Sequence, residues 1–560
     1  MGSLRKYMVV VTCLLLCAAL SASDDTRPGS KVVQGQQASA REQEIAGRIF
    51  YREAKFVSDI KSFTPMVETY IQNYKRDEEL GQVPSSDQYF IGRLIMKNGV
   101  EDVSFQKHTK SAGTLILEKL NRFYKMNYEA QGFMQMIYLP AFDKDNYDLK
   151  YMHREFLGEV RTWVFDVTPK PKVQGPHFAG RIWVEDQDCT IVRFNGTYLP
   201  QHLTNFYLHF DSWRLNLRPG IWAPALIYTE ESDARYALFR KLTMRSQTRL
   251  WGYNLKAPEG DEFTSVQVDS SAAVSDPTES PNEIGPVESE HKWEREAEDD
   301  VLDRLQRAGI LAPDGEVGKI LQTVVNNLEI TNKLDIQPEV RTRVLLTTPL
   351  ESFTVGHTIV VSRGLLDVLP GEASLAMILA HELGHIVLGH RLDTKYAFGD
   401  RMIFPDEQTL ARLQLARDAH DEEAADTKAV ELLQNSPYKD QLGAAGLFLR
   451  ALGERSKELP ALITPQFGSR MAKSDSVLRM SALLQSAPAL QITDISQVAA
   501  LPLGSRIKLD PWDDHLELNK SKPMRLQLAR EKMPFEVTPM FPHLARYRDA
   551  QMANAAGNGK

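Results

Sequence analysis

The stretch Glu372-Ala-Ser-Leu-Ala-Met-Ile-Leu-Ala-His381-Glu382-Leu-Gly-His385-Ile-Val-Leu-Gly-His390 decides how this chain is read. Its apolar residues Leu375, Ile378, Leu379, Leu383 and Ile386 recur with helical period, which predicts a helix over 372–390. On that helix His381 and His385 lie one turn apart on one face, where both imidazoles can reach one tetrahedral metal ion. Glu382 stands about 100° further round. It is badly placed as a third ligand and well placed to reach a water held by the metal. Two histidines and a glutamate so arranged point to metal-assisted hydrolysis with Glu382 as general base.

A hydrolytic zinc site needs a third protein ligand and one open position. The first helix does not supply it. The metzincin pattern would place Gly at 388 and His at 391, where this chain has Leu388 and Arg391, and His390 falls one residue short. The better source is His420-Asp-Glu422-Glu423-Ala-Ala425-Asp426, within a second helical run at about 407–434. There Glu422 and Asp426 share a face at i, i+4. Glu422 can ligate while Asp426 accepts a hydrogen bond from the far nitrogen of a ligand histidine, fixing its tautomer. Glu423, whose facial neighbour is Thr427, and His420, which points away from Glu422, are the weaker alternatives. The expected site is one Zn2+ per chain on His381, His385 and Glu422.

With Phe353-Thr-Val-Gly-His-Thr-Ile-Val-Val-Ser-Arg-Gly364-Leu-Leu ahead of the first helix, these paired motifs resemble the HtpX-like and CaaX-prenyl-protease family of zinc metallopeptidases, a gluzincin group. The likeness spans about 301–490. It implies a zincin-type endopeptidase acting on polypeptides, with zinc on His381, His385 and Glu422, water activated by Glu382, and Asp426 orienting a ligand. It also implies that the run His357 to Val361 binds extended substrate by strand addition. The chain departs from the family in one place: many members carry His-Pro before a later Arg, and the matching place here is Ser474-Asp475 before Arg479. Membrane-embedded members also have spanning helices beside the catalytic one. None is read here, so soluble exported members are the closer analogue and prenylated substrates are not expected.

The rest of the chain sets the context. Its 560 residues carry a net charge of −8, so no basic field points to nucleic acid. Residues 1–23 read as a signal peptide, with Arg5 and Lys6 before an apolar run from Met8 to Leu20 and small residues after it. The protein is therefore expected to be exported, to a periplasm or the extracellular space. Cys13 and Cys17 fall in that segment, leaving Cys189, read as a small strand residue, as the single thiol of the mature chain.

Residues 24–255 are expected to form a β-rich domain. Within it, 24–40 reads as a flexible lead-in. Helical spacing follows, including Ile45 with Ile49 and Val67 with Ile71. Strands are then expected, notably a hairpin of Arg181–Glu185 and Cys189–Phe194. The pattern from Phe178 to Gly196 is similar to strand repeats of LolA-like lipoprotein carriers, which implies contact with lipid or a membrane surface. Residues 256–300, rich in Ser, Pro, Asp and Glu, read as a disordered linker. Residues 491–560 read as a C-terminal extension, in which Pro511-Trp-Asp-Asp-His515 is taken as a surface turn rather than a second metal site. Asn195-Gly-Thr and Asn519-Lys-Ser match the glycosylation sequon.

The fold class expected is α+β: an antiparallel β-rich domain linked to a mainly helical metallopeptidase domain with a small sheet. The function expected is an exported zinc endopeptidase serving envelope protein quality control. The alternative is a lipid- or client-binding envelope protein with a catalytically silent zinc domain. The intact Glu382 speaks against it, because a scaffold has no need of the base.

Overall fold

The computed structural model describes residues 29–78, 81–95, 99–101, 134–171, 173–199, 208–231, 243–253, 286–390, 415–491, 507–509, 516–518, 535, 537 and 542–547. The expected signal peptide, the segment 254–285, Pro511–His515 and Asn519 lie outside them. No helix among the described residues is long and apolar enough to cross a membrane.

One antiparallel sheet organises the N-terminal half. Helix α1 (Gly29–Asp59) precedes β1 (Met66–Asp77), β2 (Gly81–Ile95) and β3 (Gly99–Glu101). A short α2 (Met134–Ile137) leads to β4 (Tyr147–Leu157), β5 (Val160–Pro169), β6 (His177–Glu185) and β7 (Ile191–Leu199). Then come β8 (Leu208–Arg218), β9 (Ile221–Glu231) and β10 (Thr243–Trp251). The ten strands lie in the order β3-β2-β1-β10-β9-β8-β7-β6-β5-β4. From β4 to β10 they form a meander, and β10 closes against β1 with Met66 opposite Trp251.

Several expectations change here. Val67 and Ile71 do not mark a helix; they lie on β1. That strand is buried on both faces, so its apolar residues show no alternation and happen to fall at helical spacing. The lead-in is helical from Gly29 onward. Cys189 is buried in the turn between β6 and β7 with φ +60°, not in a strand. Asn195 sits inside β7, paired to both neighbouring strands, with its side-chain oxygen 2.7 Å from His209 Nε2.

One face of the sheet takes α1. Ile49 and Phe56 pack there with Val67, Ile71, Phe178, Phe194 and Phe210. Within this apolar layer Glu53 and Arg214 form a bidentate pair, each bond 2.7 Å, with both side chains fully buried. The Glu53 carboxylate also accepts the Leu139 N–H, and the Arg214 guanidinium lies 4.0 Å from the Phe56 ring centroid.

The opposite face of β1, β2 and β10 packs on the C-terminal half. Met66, Tyr70, Ile91 and Trp251 share a core with Val301, Leu302 and Leu305. Trp251 Nε1 donates to the Gly309 carbonyl at 2.8 Å, and Asp87 accepts the N–H groups of Ala461 and Leu462. Residues 286–300, expected to be linker, are instead part of helix α3 (Pro286–Arg307). Their polar composition hides how the helix is held. Val301, Leu302 and Leu305 are buried at its end, and Glu298 is buried by ion pairs with Arg295 and Arg341.

The C-terminal half continues with α4 (Glu316–Asn332), β11 (Arg341–Leu345), β12 (Ser352–Val355), β13 (Thr358–Ser362) and α5 (Arg363–Val368). Helices α6 (Glu372–Val387), α7 (Ala419–Gln434), α8 (Leu442–Arg455) and α9 (Pro460–Ile463) follow. The chain then makes a hairpin of β14 (Ala472–Lys473) and β15 (Ser476–Val477). The three-stranded sheet has the order β11-β13-β12. The run His357–Val361 is therefore not an open strand. Thr358–Val361 lies in the middle strand β13, and His357 sits in the turn before it, where Glu298 accepts from its main-chain N–H. Strands β11 and β12 are the two edges of the sheet.

Parts of the C-terminal tail bind back to the N-terminal sheet. Gln72 donates to the Phe535 carbonyl and accepts from the Val537 N–H. Leu544 is fully buried against Val160, Trp213 and Trp222, and its carbonyl accepts the Glu159 N–H.

Candidate active site

Helix α6 carries the first half of the site. From Ala373 to His385 every residue is buried, as suits a helix that runs through a core. His381, Glu382 and His385 are each 1% exposed. Helix α7 supplies the second half. Its first turn is capped by Asp418, whose side chain accepts from the N–H groups of His420 and Asp421. The two helices approach closely at Gly384, where a Cβ would come within 2.9 Å of the Ala425 carbonyl oxygen. Glycine on α6 and alanine on α7 thus set the spacing that lets acids on one helix reach histidines on the other.

Across that contact His381 Nε2 lies 3.2 Å from His385 Nε2 and 3.3 Å from Glu422 Oε2. His385 Nε2 is 3.9 Å from Glu422 Oε1. On the far side of the ring, His381 Nδ1 is 2.7 Å from Asp426 Oδ1, and the other Asp426 oxygen accepts the Met480 N–H at 2.7 Å. Glu423 and His420, the alternatives on the same run, are exposed and point elsewhere.

Glu382 faces edge strand β12 rather than the imidazole pair. Its Oε1 accepts from Ser352 Oγ at 2.7 Å and from Arg479 Nη1 at 3.1 Å. Arg479 also grips Glu422, with Nε to Oε2 at 2.8 Å and Nη2 to Oε1 at 3.3 Å. One guanidinium therefore bridges two acids of the site. It is delivered by the hairpin turn Ser474-Asp475, both residues left-handed as a two-residue hairpin of type I′ requires. Arg417 adds a second cation, held 2.7 Å from Thr354 Oγ1 on β12.

The charges settle unevenly. Burial, His381 and Arg417 push the His385 imidazole down to about 2, so it is neutral. Burial and Arg479 oppose protonation of His381, yet its hydrogen bonds to Asp426 and Glu422 prevail and raise it. Burial works against ionisation of Glu422, but His381 and Arg479 outweigh it and hold the acid well below the usual carboxylate range.

The donor set suits zinc. Tetrahedral bonds of about 2.0–2.1 Å place neighbouring donor atoms about 3.3 Å apart. The two shortest separations here, 3.2 and 3.3 Å, match that spacing, and all three ligand atoms lie within 4.8 Å of one another. Each carboxylate oxygen has two acceptor directions, so Glu422 can keep Arg479 and still face the imidazoles.

The structure thus brings together His381, Glu382, His385, Glu422 and Asp426. Motif reading missed Ser352, Arg417 and His390 as parts of the site, and it registered Arg479 only by its position. None belongs to a spaced pattern around HExxH. The weak signals were Ser352 beside the run beginning at Phe353, and a third histidine closing the quoted stretch.

Residues 314–491 match the sequence model of peptidase family M48, whose members are in general zinc-dependent. This supports a metalloprotease hydrolase that acts on polypeptides. No curated protein matches the chain. Among solved structures, the chain is similar to a DUF1329 family protein from Desulfovibrio piger ATCC 29098, at 10% identity over 37% of this chain and 93% of that one, with a TM-score of 0.19.

Proposed function

We propose that the chain is an exported zinc endopeptidase of the HtpX-like kind, working in protein quality control in the cell envelope. The observation that carries the reading is the convergence of His381, His385 and Glu422 at zinc-like spacing, with Glu382 beside them, inside the M48-matching segment. The export signal read at residues 1–23 supports the location.

His381, His385 and Glu422 would hold zinc through Nε2, Nε2 and a carboxylate oxygen. Zinc there supplies a Lewis acid that polarises the scissile carbonyl and makes water easier to deprotonate. The remaining work belongs to the chain. Glu382 takes the proton of the attacking water and passes it to the leaving amine. Ser352 and Arg479 both hold its Oε1, which fixes the rotation of the carboxylate and leaves Oε2 for the proton. Asp426 keeps the His381 ring oriented.

Glu382→Gln tests this reading. The variant keeps the contacts that order the site and removes the base. It should bind zinc as the wild type does while losing roughly 10²–10⁴-fold in casein cleavage. A variant as active as the wild type would exclude Glu382 as the base.

A further inference from the structure

His390 stands five residues beyond His385, outside α6, yet the way the helix ends returns it to the site. Gly389, with φ +68°, forms a left-handed closing turn. The His390 N–H bonds to the His385 carbonyl and the Gly389 N–H to that of Ile386, each at 3.0 Å, the paired bonds of a Schellman motif. The turn lays the His390 ring against that of His385, with centroids 5.1 Å apart and the two Nδ1 atoms 2.9 Å apart. The His390 Nε2 lies 3.6 Å from Asp421 Oδ1, on the first turn of α7.

Two Nδ1 atoms at that distance share one proton, so one ring donates and the other accepts. His385 turns its Nε2 toward His381 and Glu422. To hold a cation there it must present a lone pair on Nε2, which places its proton on Nδ1. His390 then accepts at Nδ1 and carries its own proton on Nε2, on the side of Asp421.

We propose that His390 is a positioning residue: it accepts the Nδ1 proton of His385, with Asp421 behind it, and so fixes the tautomer that offers Nε2 to zinc. The role parallels that of Asp426 toward His381, with a neutral ring in place of a carboxylate. The inference rests on reading His381, His385 and Glu422 as the ligand set.

The test is zinc affinity of the full chain, measured by competition with a chromophoric chelator, for wild type, His390→Ala and His390→Asn. Asparagine places its amide oxygen near the position of the histidine Nδ1 and can still accept. His390→Ala should bind zinc about 10–100-fold more weakly, and His390→Asn should recover most of the loss. Cobalt-loaded protein gives a second readout. In the wild type two exchangeable, paramagnetically shifted N–H protons should persist, one from each ligand histidine, and His390→Ala should lose one of them to solvent exchange. Circular dichroism identifies a variant that has merely unfolded, and the cobalt spectrum of His390→Asn then decides. Equal zinc affinity in wild type and His390→Ala overturns the inference while leaving the ligand set intact. Equal losses in Ala and Asn, with both cobalt signals retained, overturn it in favour of simple packing. A wild type that binds no zinc overturns the ligand set itself, and this inference with it.

Discussion

Glu351 ties the start of β12 to the chain at 466–468. One of its oxygens accepts the consecutive main-chain N–H groups of Gln466, Phe467 and Gly468, and its neighbour Ser352 holds the candidate base Glu382. Burial pushes the Glu351 carboxyl from 4.5 up to about 7, against the hydrogen bonds that favour its charge. Between those values the folded chain holds a proton that the unfolded chain has released. Stability from this group is therefore full below about pH 4.5 and declines as pH rises toward 7. Glu351→Gln keeps an oxygen for the three N–H groups and removes the titration. Its melting temperature relative to wild type should climb as pH rises through that window, and a difference that stays flat would contradict the assignment. The chemical residues of the site were legible in the sequence because so few types suit the task at helical spacing: His381, His385, Glu382, Glu422 and Asp426. The groups that orient them were not. Ser352, Arg417 and His390 act only through contacts that a turn or a strand edge creates.

Among the elements, α6 was readable because its apolar pattern repeats over several turns. The second run was expected from about 407, but 407–414 lie outside the described residues and α7 starts only at Ala419, after the extended cap Asp418. The Gly384–Ala425 approach joins the two helices. Strand β1 was not readable, since burial on both faces erased the alternation that marks a half-buried strand. Helix α3 was hidden in acidic sequence, because its buried Glu298 is held by arginines rather than by apolar contacts. Helix α1 offers the sharpest energetic test. Its Glu53 is fully buried against Arg214, and removing one partner strands the other charge in an apolar layer. Glu53→Ala or Arg214→Ala should each cost about 3–5 kcal/mol in denaturant unfolding. The double variant Glu53→Leu, Arg214→Met should cost much less than the sum. Additive losses would contradict the pairing.

At the scale of the whole molecule, the two halves are continuous. Met66, Tyr70, Ile91 and Trp251 of the large sheet share a core with the helices and small sheet of the C-terminal half. Asp87 binds the N–H groups at Ala461 and Leu462, and Arg249 reaches Asp367 across the junction. Composition alone could not show this, because a polar stretch between two patterned halves has the same appearance whether it separates them or crosses a shared core. The site, with Glu382 between β12 and Arg479, is thus built on a scaffold that includes the N-terminal sheet. We propose that His381, His385 and Glu422 form one zinc site that makes the chain a peptidase. The most direct test is the zinc content of purified wild type and Glu422→Ala, each assayed for casein cleavage. Wild type should hold one zinc per chain and cleave casein, and the variant should lose both. A wild type that takes up no zinc under any metal loading would contradict the proposal.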